Sequence, residues 1–148
     1  MRTINLQWLF ITLFFLYSLE LSAEHYPHKL TVLVVGAKAS TGQVIASLFS
    51  STDNYLKEPV LKHVLPINDA GEAQFVFSEL KAGMYAVSVV YDKDGNGKLN
   101  TGFLGIPSEP VGFSNNAKGT FGPPSFFNAS FAFPELEKIS IILGQAKE

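Results

Sequence analysis

The fold is decided by the stretch from Glu72 to Tyr91, which has the sequence EAQFVFSELKAGMYAVSVVY. Its first half alternates Phe75 and Phe77 against Gln74 and Ser78. Its second half repeats the alternation with Tyr85, Val87, Val89 and Tyr91. Successive side chains of a β-strand point to opposite faces, so each half predicts a strand with one apolar face. The segment Leu80–Gly83 between the two halves predicts a hairpin in which Gly83 takes a positive φ angle.

The same alternation recurs within residues 43–49, 60–65, 130–133 and 138–143, and residues 30–35 form a further run rich in β-branched residues. Glycine, proline, asparagine and aspartate separate these runs, and no window of ten residues has a helical period. Short alternating runs with turn residues between them are typical of all-β sandwiches. The sequence therefore predicts a single antiparallel β-sandwich of seven or eight strands, prealbumin-like or immunoglobulin-like, with a long loop rich in Phe, Gly and Pro.

The first residues have the pattern of an export signal. Arg2 precedes the nearly unbroken apolar run Leu6–Tyr17, and Ala23 offers a small residue for cleavage. Such a run is shorter than the ~20 residues of a membrane-spanning helix and is typical of a secretory signal peptide. We expect residues 1–23 to be this signal peptide and residues 24–148 to be one domain, exported to the periplasm or secreted. An uncleaved N-terminal anchor is the alternative.

Composition excludes several classes of function. The chain has no cysteine, so it forms no disulfide and has neither a catalytic thiol nor a lipidated N-terminus. Its net charge is −2, and Arg2 is its only arginine. Nucleic-acid binding needs a clustered basic face, which this sequence lacks. We expect no nucleic-acid partner, and membrane contact only through an uncleaved signal segment.

An acidic loop, residues 92–100, directly follows Tyr91. A calcium loop of the EF-hand type takes oxygen ligands from positions 1, 3, 5, 7 and 9 and has glycine at position 6. Counted from Asp92, Gly97 is at position 6. The predicted ligands are Asp92, Asp94, Asn96, the carbonyl of Lys98, and Asn100.

This loop departs from the calcium pattern at position 12, where Phe103 replaces a bidentate glutamate. Glu109 supplies the missing carboxylate if the chain folds back. With two acids in the loop, the expected calcium dissociation constant is weak, ~10⁻⁴ to 10⁻³ M. The alternative is that the Asp-Gly and Asn-Gly pairs form plain turns that bind no ion.

The next segment, residues 101–133, has two charged residues and seven of the 13 phenylalanines. A long loop in a compact domain is often functional, and exposed aromatic side chains here would meet a protein, a glycan or a lipid. The candidate binding rim consists of Phe103, Phe113, Asn115, Asn116, Phe121 and Phe126, and Ser114 is expected to face the same ligand. The alternative is that these rings pack over an otherwise open edge of a sheet.

Candidate catalytic groups are few. His63 is in phase with Leu61 and Leu65, which predicts a hydrogen-bonded histidine in the core. Sequence motifs of nucleophilic, metallopeptidase or phosphate-binding sites are absent. A hydrolase would have to combine His63 with carboxylates of the acidic loop, so we expect a protein that is not an enzyme.

The sequence resembles a family once its longer motifs are considered together. The run from Phe75 to Asn96 is similar to prealbumin-like sandwich modules. The distinctive motifs follow it: Gly97-Lys98-Leu99, Phe103-Leu104-Gly105-Ile106-Pro107, Gly112-Phe113-Ser114-Asn115-Asn116 and Phe121-Gly122-Pro123-Pro124-Ser125-Phe126. They resemble the small exported bacterial proteins of Domain of Unknown Function 2141. The resemblance implies an exported β-sandwich and brings no established activity or catalytic residue.

These observations predict an exported, non-enzymatic β-sandwich module. Its acidic loop either binds a stabilising calcium ion or forms plain turns that bind no ion. Its expected partner is a protein or glycan of the cell envelope or the extracellular space. The alternatives are a hydrolase-type enzyme and a purely structural envelope protein.

Overall fold

The computed structural model describes residues 28–38 and 41–144, and the predicted signal peptide lies outside these residues. Strands are the main regular elements of the described chain, together with one short α-helix, α1 (Phe126–Ala129). The strands are β1 (Leu30–Val35), β2 (Gln43–Phe49), β3 (Leu61–Pro66), β4 (Ala73–Phe77), β5 (Gly83–Asp92), β6 (Val111–Phe113), β7 (Phe131–Phe133) and β8 (Lys138–Ile142). No helix among the described residues is long and apolar enough to cross a membrane.

The strands form two sheets that pack face to face, so the predicted β-sandwich of seven or eight strands is confirmed. One sheet has the order β4-β1-β8, and the other has the order β3-β2-β5-β6 with β7 beside the first residues of β5. All pairs are antiparallel except β1 and β8, which are parallel. Strand β6 was not predicted, because its central residue is Gly112 and glycine is depleted in strands.

The predicted hairpin between β4 and β5 is wrong. Strand β4 pairs with β1, whereas β5 pairs with β2 in the other sheet. Residues 78–82 therefore carry the chain across the sandwich. Glu79, with φ 60°, takes the positive angle that was predicted for Gly83. Alternation shows that each strand has one apolar face, but it does not show which strand lies beside it.

The main core lies between the inner faces of the two sheets. In β1 and β4 every second residue is buried, and for β4 the alternation predicts this pattern. The fully buried large side chains of the main core are Leu30, Val32, Val34, Val44, Leu48, Phe75, Phe77, Val87, Val89 and Ile141. Burying one such side chain contributes about 1.5–3 kcal/mol, so this core is the main source of stability.

The outer face of the larger sheet is covered at both ends of β5. Near the start of β5, Phe49 and Ala86 are paired neighbours that pack with Tyr55 and Ala129 into a second apolar cluster. The polypeptide that covers this cluster includes residues 114–130. Asp92, which ends β5, is on the same outer face because it is six residues beyond Ala86. The acidic loop and residues 114–130 thus occupy opposite ends of one sheet face.

Candidate functional site

The acidic loop is built around the carboxylate of Asp92, which is completely buried. Its Oδ1 accepts hydrogen bonds from the backbone N–H groups of Gly95 (2.8 Å) and Asn96 (3.1 Å). Its Oδ2 accepts from the N–H of Gly97 and from Nε2 of Gln43, both at 2.8 Å. Gly95 and Gly97 have φ angles of 71° and 81°, which turn the backbone so that these N–H groups point inward.

These contacts determine the charge of Asp92. Burial alone raises the pKa of a carboxyl group, because it disfavours the charged form. In Asp92 the hydrogen bonds from Gln43, Gly97 and Asn96 outweigh the effect of burial, and they hold the pKa of Asp92 below its usual value. Asp92 is therefore a buried anion at neutral pH.

Glu109 closes the loop from its far end and is also buried. Its Oε1 accepts a hydrogen bond from the N–H of Lys93 (2.8 Å), and its Oε2 accepts from the N–H of Asn100 (2.9 Å). The chain between Asn100 and Glu109 doubles back, with Thr101 and Pro107 forming an isolated bridge. This geometry brings the carboxylate of Glu109 back to the acidic loop.

Three carboxylates meet at this place. Oxygen atoms of Asp92, Asp94 and Glu109 lie within 4.8 Å of one another. The exposed carboxylate of Asp94 also accepts hydrogen bonds at Oδ2 from Nδ2 of Asn96 (3.0 Å) and from Nδ2 of Asn100 (2.9 Å). Five of the six residues predicted as ligands thus gather their side chains at one point.

Lys98, the sixth, was predicted to contribute its carbonyl. Its N–H donates to Oδ1 of Asn96 (3.0 Å), and its side chain is exposed. A second lysine also touches the loop, since Nζ of Lys62 donates to the carbonyl of Gly97 (3.3 Å). The N–H groups and this ammonium offset part of the repulsion between the three carboxylates.

The gathered atoms are compatible with a calcium ion in type and spacing. Two oxygen atoms that share a calcium at 2.3–2.6 Å lie at most about 5 Å apart, and the carboxylates satisfy this limit. The amides of Asn96 and Asn100 present nitrogen to Asp94, and a half-turn of each amide replaces nitrogen with oxygen. The existing hydrogen bonds are equally those of a loop closed without an ion, so both sequence interpretations agree with this geometry.

The phenylalanines of the predicted binding rim fall into two groups. Phe103 and Phe121 project into solvent. Phe113 and Phe126 are half-buried against the second apolar cluster, where the ring of Phe126 lies 5.7 Å from that of Tyr55. The first pair is available for binding, whereas the second pair covers the sheet.

The two asparagines of the predicted rim join segments of this chain. Nδ2 of Asn115 donates to the carbonyls of Asn128 (3.2 Å) and Ser130 (2.8 Å). Oδ1 of Asn116 accepts from the N–H of Ile142 in β8 (2.9 Å). Both side chains thus have structural hydrogen bonds, and Asn116 occupies the outer edge of β8.

Sequence reasoning missed two exposed apolar residues and misjudged a serine. Leu104 and Phe127 are exposed beside Phe103 and Phe126, and nothing in the sequence distinguishes them from packed neighbours. Ser114, which the rim interpretation placed at a binding surface, is completely buried. Its Oγ accepts from the N–H of Val87 (2.8 Å) and donates to the carbonyl of Ala129 (2.5 Å). It occupies the position where β5 changes its partner from β6 to β7.

His63 is exposed, so the prediction of a core histidine is wrong. Its ring stacks on Phe77 at 4.8 Å, over the open side of the sandwich between β3 and β4. His63 is paired with Ala46, whereas Asp92 is paired with Gln43. By this register, His63 lies three residues along the strand direction and two strands across from Asp92. The two residues are therefore about 14 Å apart. Among the described residues, no hydrogen bond joins His63 to a carboxylate.

Fold and site together define a small all-β sandwich module with an acid-lined loop at one end. The family model described as "Uncharacterized protein conserved in bacteria (DUF2141)" matches residues 32–141, about three quarters of the chain. The protein therefore belongs to this family, and the family resemblance inferred from the sequence is confirmed. No curated protein and no solved structure matches the chain, so the likeness to prealbumin-like modules stays a prediction.

Proposed function

We propose that this protein is an exported, non-enzymatic β-sandwich module that binds calcium at its acidic loop and an envelope or extracellular partner at its exposed aromatic residues. The observation that carries the calcium proposal is the approach of Asp92, Asp94 and Glu109 to within 4.8 Å of one another. Folding brings Glu109 to the loop although 14 residues separate it from Asp94 in the sequence.

The chemistry of the donors favours a hard cation such as calcium over a transition metal. All candidate ligand atoms are oxygens, which suit hard cations, and the described residues around the loop offer no histidine or thiolate for a transition metal. Two of the five side chains, Asn96 and Asn100, are neutral amides. The expected affinity is therefore in the range of ~10⁻⁴ to 10⁻³ M, which suits a compartment outside the cytoplasm.

The same geometry argues against the hydrolase alternative. A general base needs access to the substrate, but Asp92 is completely buried. Glu109 is buried against backbone N–H groups, and His63 is about 14 Å from Asp92 by strand register. The acidic loop holds its carboxylates in fixed positions, as an ion site requires.

Thermal unfolding with calcium and with chelator tests the ion proposal. At 10 mM calcium and a dissociation constant near 1 mM, binding stabilises the fold by about 1.4 kcal/mol, which raises the midpoint by roughly 3–5 °C. Asp94→Asn should abolish this shift, because Asp94 is an exposed member of the cluster. Asp53→Asn removes an exposed carboxylate of another loop and should leave the shift unchanged. Equal midpoints in calcium and chelator for the wild type would reject the ion.

The partner proposal has its own test at Phe121, which is completely exposed. Phe121→Ser should lower binding to a glycan array or to immobilised envelope proteins at least tenfold, with no change in the unfolding midpoint. Val76→Ser, which alters an exposed apolar residue on β4, is the control. Unchanged binding of the Phe121 variant would remove Phe121 from the contact surface.

A further inference from the structure

The chain between Asn100 and Glu109 forms a small hairpin that projects beyond the end of β5. The isolated bridge between Thr101 and Pro107 marks its two sides. Backbone hydrogen bonds from the N–H of Gly102 to the carbonyl of Ile106 (2.8 Å) and from the N–H of Ser108 to the carbonyl of Asn100 (3.0 Å) hold the sides together. Glu109 binds the N–H of Asn100 at the base. The hairpin is therefore a defined structure with a fixed base.

The tip of this hairpin, Phe103 and Leu104, presents apolar side chains to solvent. Phe103 is 87% exposed, Leu104 is 81% exposed, and Ile106 on the returning side is 46% exposed. Leu104 has a φ angle of 60°, which is unfavourable for a leucine. Strained backbone that persists is a pointer to function, and here the strain keeps two adjacent apolar side chains on the outside.

Three lysines contribute exposed side chains near the base of the hairpin. Lys93 and Lys98 are exposed on the acidic loop, and the ammonium of Lys62 reaches the carbonyl of Gly97 at 3.3 Å. Asp94 is the exposed acid of this loop, because Asp92 and Glu109 are buried and directed toward N–H donors. The exposed charges near the apolar tip are thus three ammonium groups and one carboxylate, while the other two carboxylates of the acidic loop are buried.

We propose that this hairpin is a lipid-binding element whose tip inserts into the interfacial region of an anionic bilayer. Phe103 and Leu104 would enter the boundary between headgroups and acyl chains, while Lys62, Lys93 and Lys98 meet lipid phosphates. A projecting apolar tip fits a yielding surface, whereas a protein or glycan partner would need a matching cavity. The proposal deepens the proposed function by naming the partner of Phe103, and it rests on export of the domain.

This proposal departs from the expectation that the membrane is touched only through an uncleaved signal segment. Two inserted side chains give weak and reversible binding, since even a single myristoyl chain binds a bilayer marginally. The tip would therefore bring an exported domain to a membrane surface without anchoring it there.

Tryptophan fluorescence tests the insertion directly. Trp8 is the only tryptophan and lies in the predicted signal peptide, so a probe placed in the sandwich reports its own surroundings. The probe is Phe103→Trp, and the control is Phe127→Trp, which is equally exposed but lies at the opposite end of β5. Each protein, recovered from the envelope or medium of expressing bacteria, is titrated with phosphatidylglycerol or phosphatidylcholine vesicles in chelator.

We expect a blue shift and quenching by brominated acyl chains for Phe103→Trp with phosphatidylglycerol, and no change for Phe127→Trp. Adding Leu104→Asp should lower the vesicle partition coefficient of Phe103→Trp at least about tenfold without lowering the unfolding midpoint. Should that variant fold poorly, Leu104→Ser takes its place.

An unchanged spectrum for Phe103→Trp, an equal response of both probes, or equal binding to the two lipids would overturn the proposal. Loss of glycan or protein binding on Phe103→Ser without any vesicle binding would overturn it in favour of a macromolecular partner. The vesicle titrations contain chelator, so their outcome does not depend on calcium binding. Conversely, the calcium-dependent shift of the unfolding midpoint does not depend on vesicle binding.

Discussion

The acidic loop with its hairpin (residues 92–109) and the aromatic cover (residues 113–130) flank one sheet face with opposite arrangements of polar and apolar groups. In the first region Asp92 and Glu109 are buried, while Phe103 projects into solvent. In the second region Phe126 packs on Tyr55, and the side chains of the asparagines bind backbone groups. Both regions have few regular elements. Residue type therefore does not decide which side chains a loop buries.

The difference follows from what each region lies against. The cover lies on the apolar pair Phe49 and Ala86, so its phenylalanines gain stability by burial there. The acidic loop starts beside Gln43 and has a dense set of inward N–H groups, which favour a carboxylate. Its apolar residues are then left on the outer side of the hairpin.

The largest expected effect is that of removing the buried carboxylate. Asp92→Ala leaves four hydrogen-bond donors without an acceptor and should lower the free energy of unfolding in chelator by about 3–5 kcal/mol. Urea denaturation measures this loss. Asp94→Ala changes an exposed carboxylate of the same cluster and should cost less than about 1 kcal/mol. Equal losses for the two variants would contradict the account of Asp92 as the centre of the loop.

The next effect concerns Ser114 in the cover. Ser114→Ala removes the partner of the Val87 N–H and the Ala129 carbonyl, and should lower the free energy of unfolding by about 2 kcal/mol. Ser78→Ala, at an exposed position, is the control and should change the stability by less than about 0.5 kcal/mol. A loss no larger than that of the control would show that Ser114 does not join the strands.

Tyr55 offers a gain in stability. Its buried hydroxyl has no hydrogen-bond partner among the described residues, so Tyr55→Phe should raise the free energy of unfolding by about 1 kcal/mol. Burial raises the pKa of Tyr55 to about 12. The unfolded chain therefore loses this proton first, and the stability that neutral Tyr55 supports is complete below pH ~10 and declines between pH ~10 and ~12.

Denaturation of wild type and Tyr55→Phe across this range measures both effects. The other tyrosines and the lysines titrate equally in both proteins. The difference between the two free energies of unfolding should therefore widen as the pH rises above ~10. A constant gap would contradict the raised pKa, and a loss of stability in Tyr55→Phe at neutral pH would show that the hydroxyl has a partner.

The smallest effect distinguishes the two regions directly. Phe103→Ala should change the free energy of unfolding by less than about 0.5 kcal/mol, because Phe103 packs on little. Phe126→Ala should cost about 2 kcal/mol, since half of a packed ring is lost. Similar costs for the two variants would remove the contrast between an outward-facing tip and an inward-facing cover.

Much of the fold could be predicted from alternation alone, because burial on one face of a strand leaves a period of two. Pairing could not be predicted, since the alternation of β4 and β5 suits a hairpin and a crossing between sheets equally. His63 illustrates the same limit. Its phase with Leu61 and Leu65 predicts an inward side chain, but β3 is an edge strand, and its inward side is only partly covered.

The spacing of the oxygen-bearing residues in the acidic loop predicted that their side chains come together. The return of Glu109 depends on the hairpin above Asn100, for which the sequence gives no clear signal. The exposure of Phe103 and the packing of Phe126 depend on long-range contacts, so one sequence could not separate them.

Calcium binding at the acidic loop is tested most directly by a calcium titration followed in ¹H–¹⁵N NMR spectra. We predict shifts confined to residues 92–100 and 109, including the side-chain amides of Asn96 and Asn100, with a single dissociation constant of ~10⁻⁴ to 10⁻³ M. Asp94→Asn should remove these shifts. No shift up to 10 mM calcium, or shifts scattered over exposed carboxylates such as Asp53 and Glu58, would contradict the site.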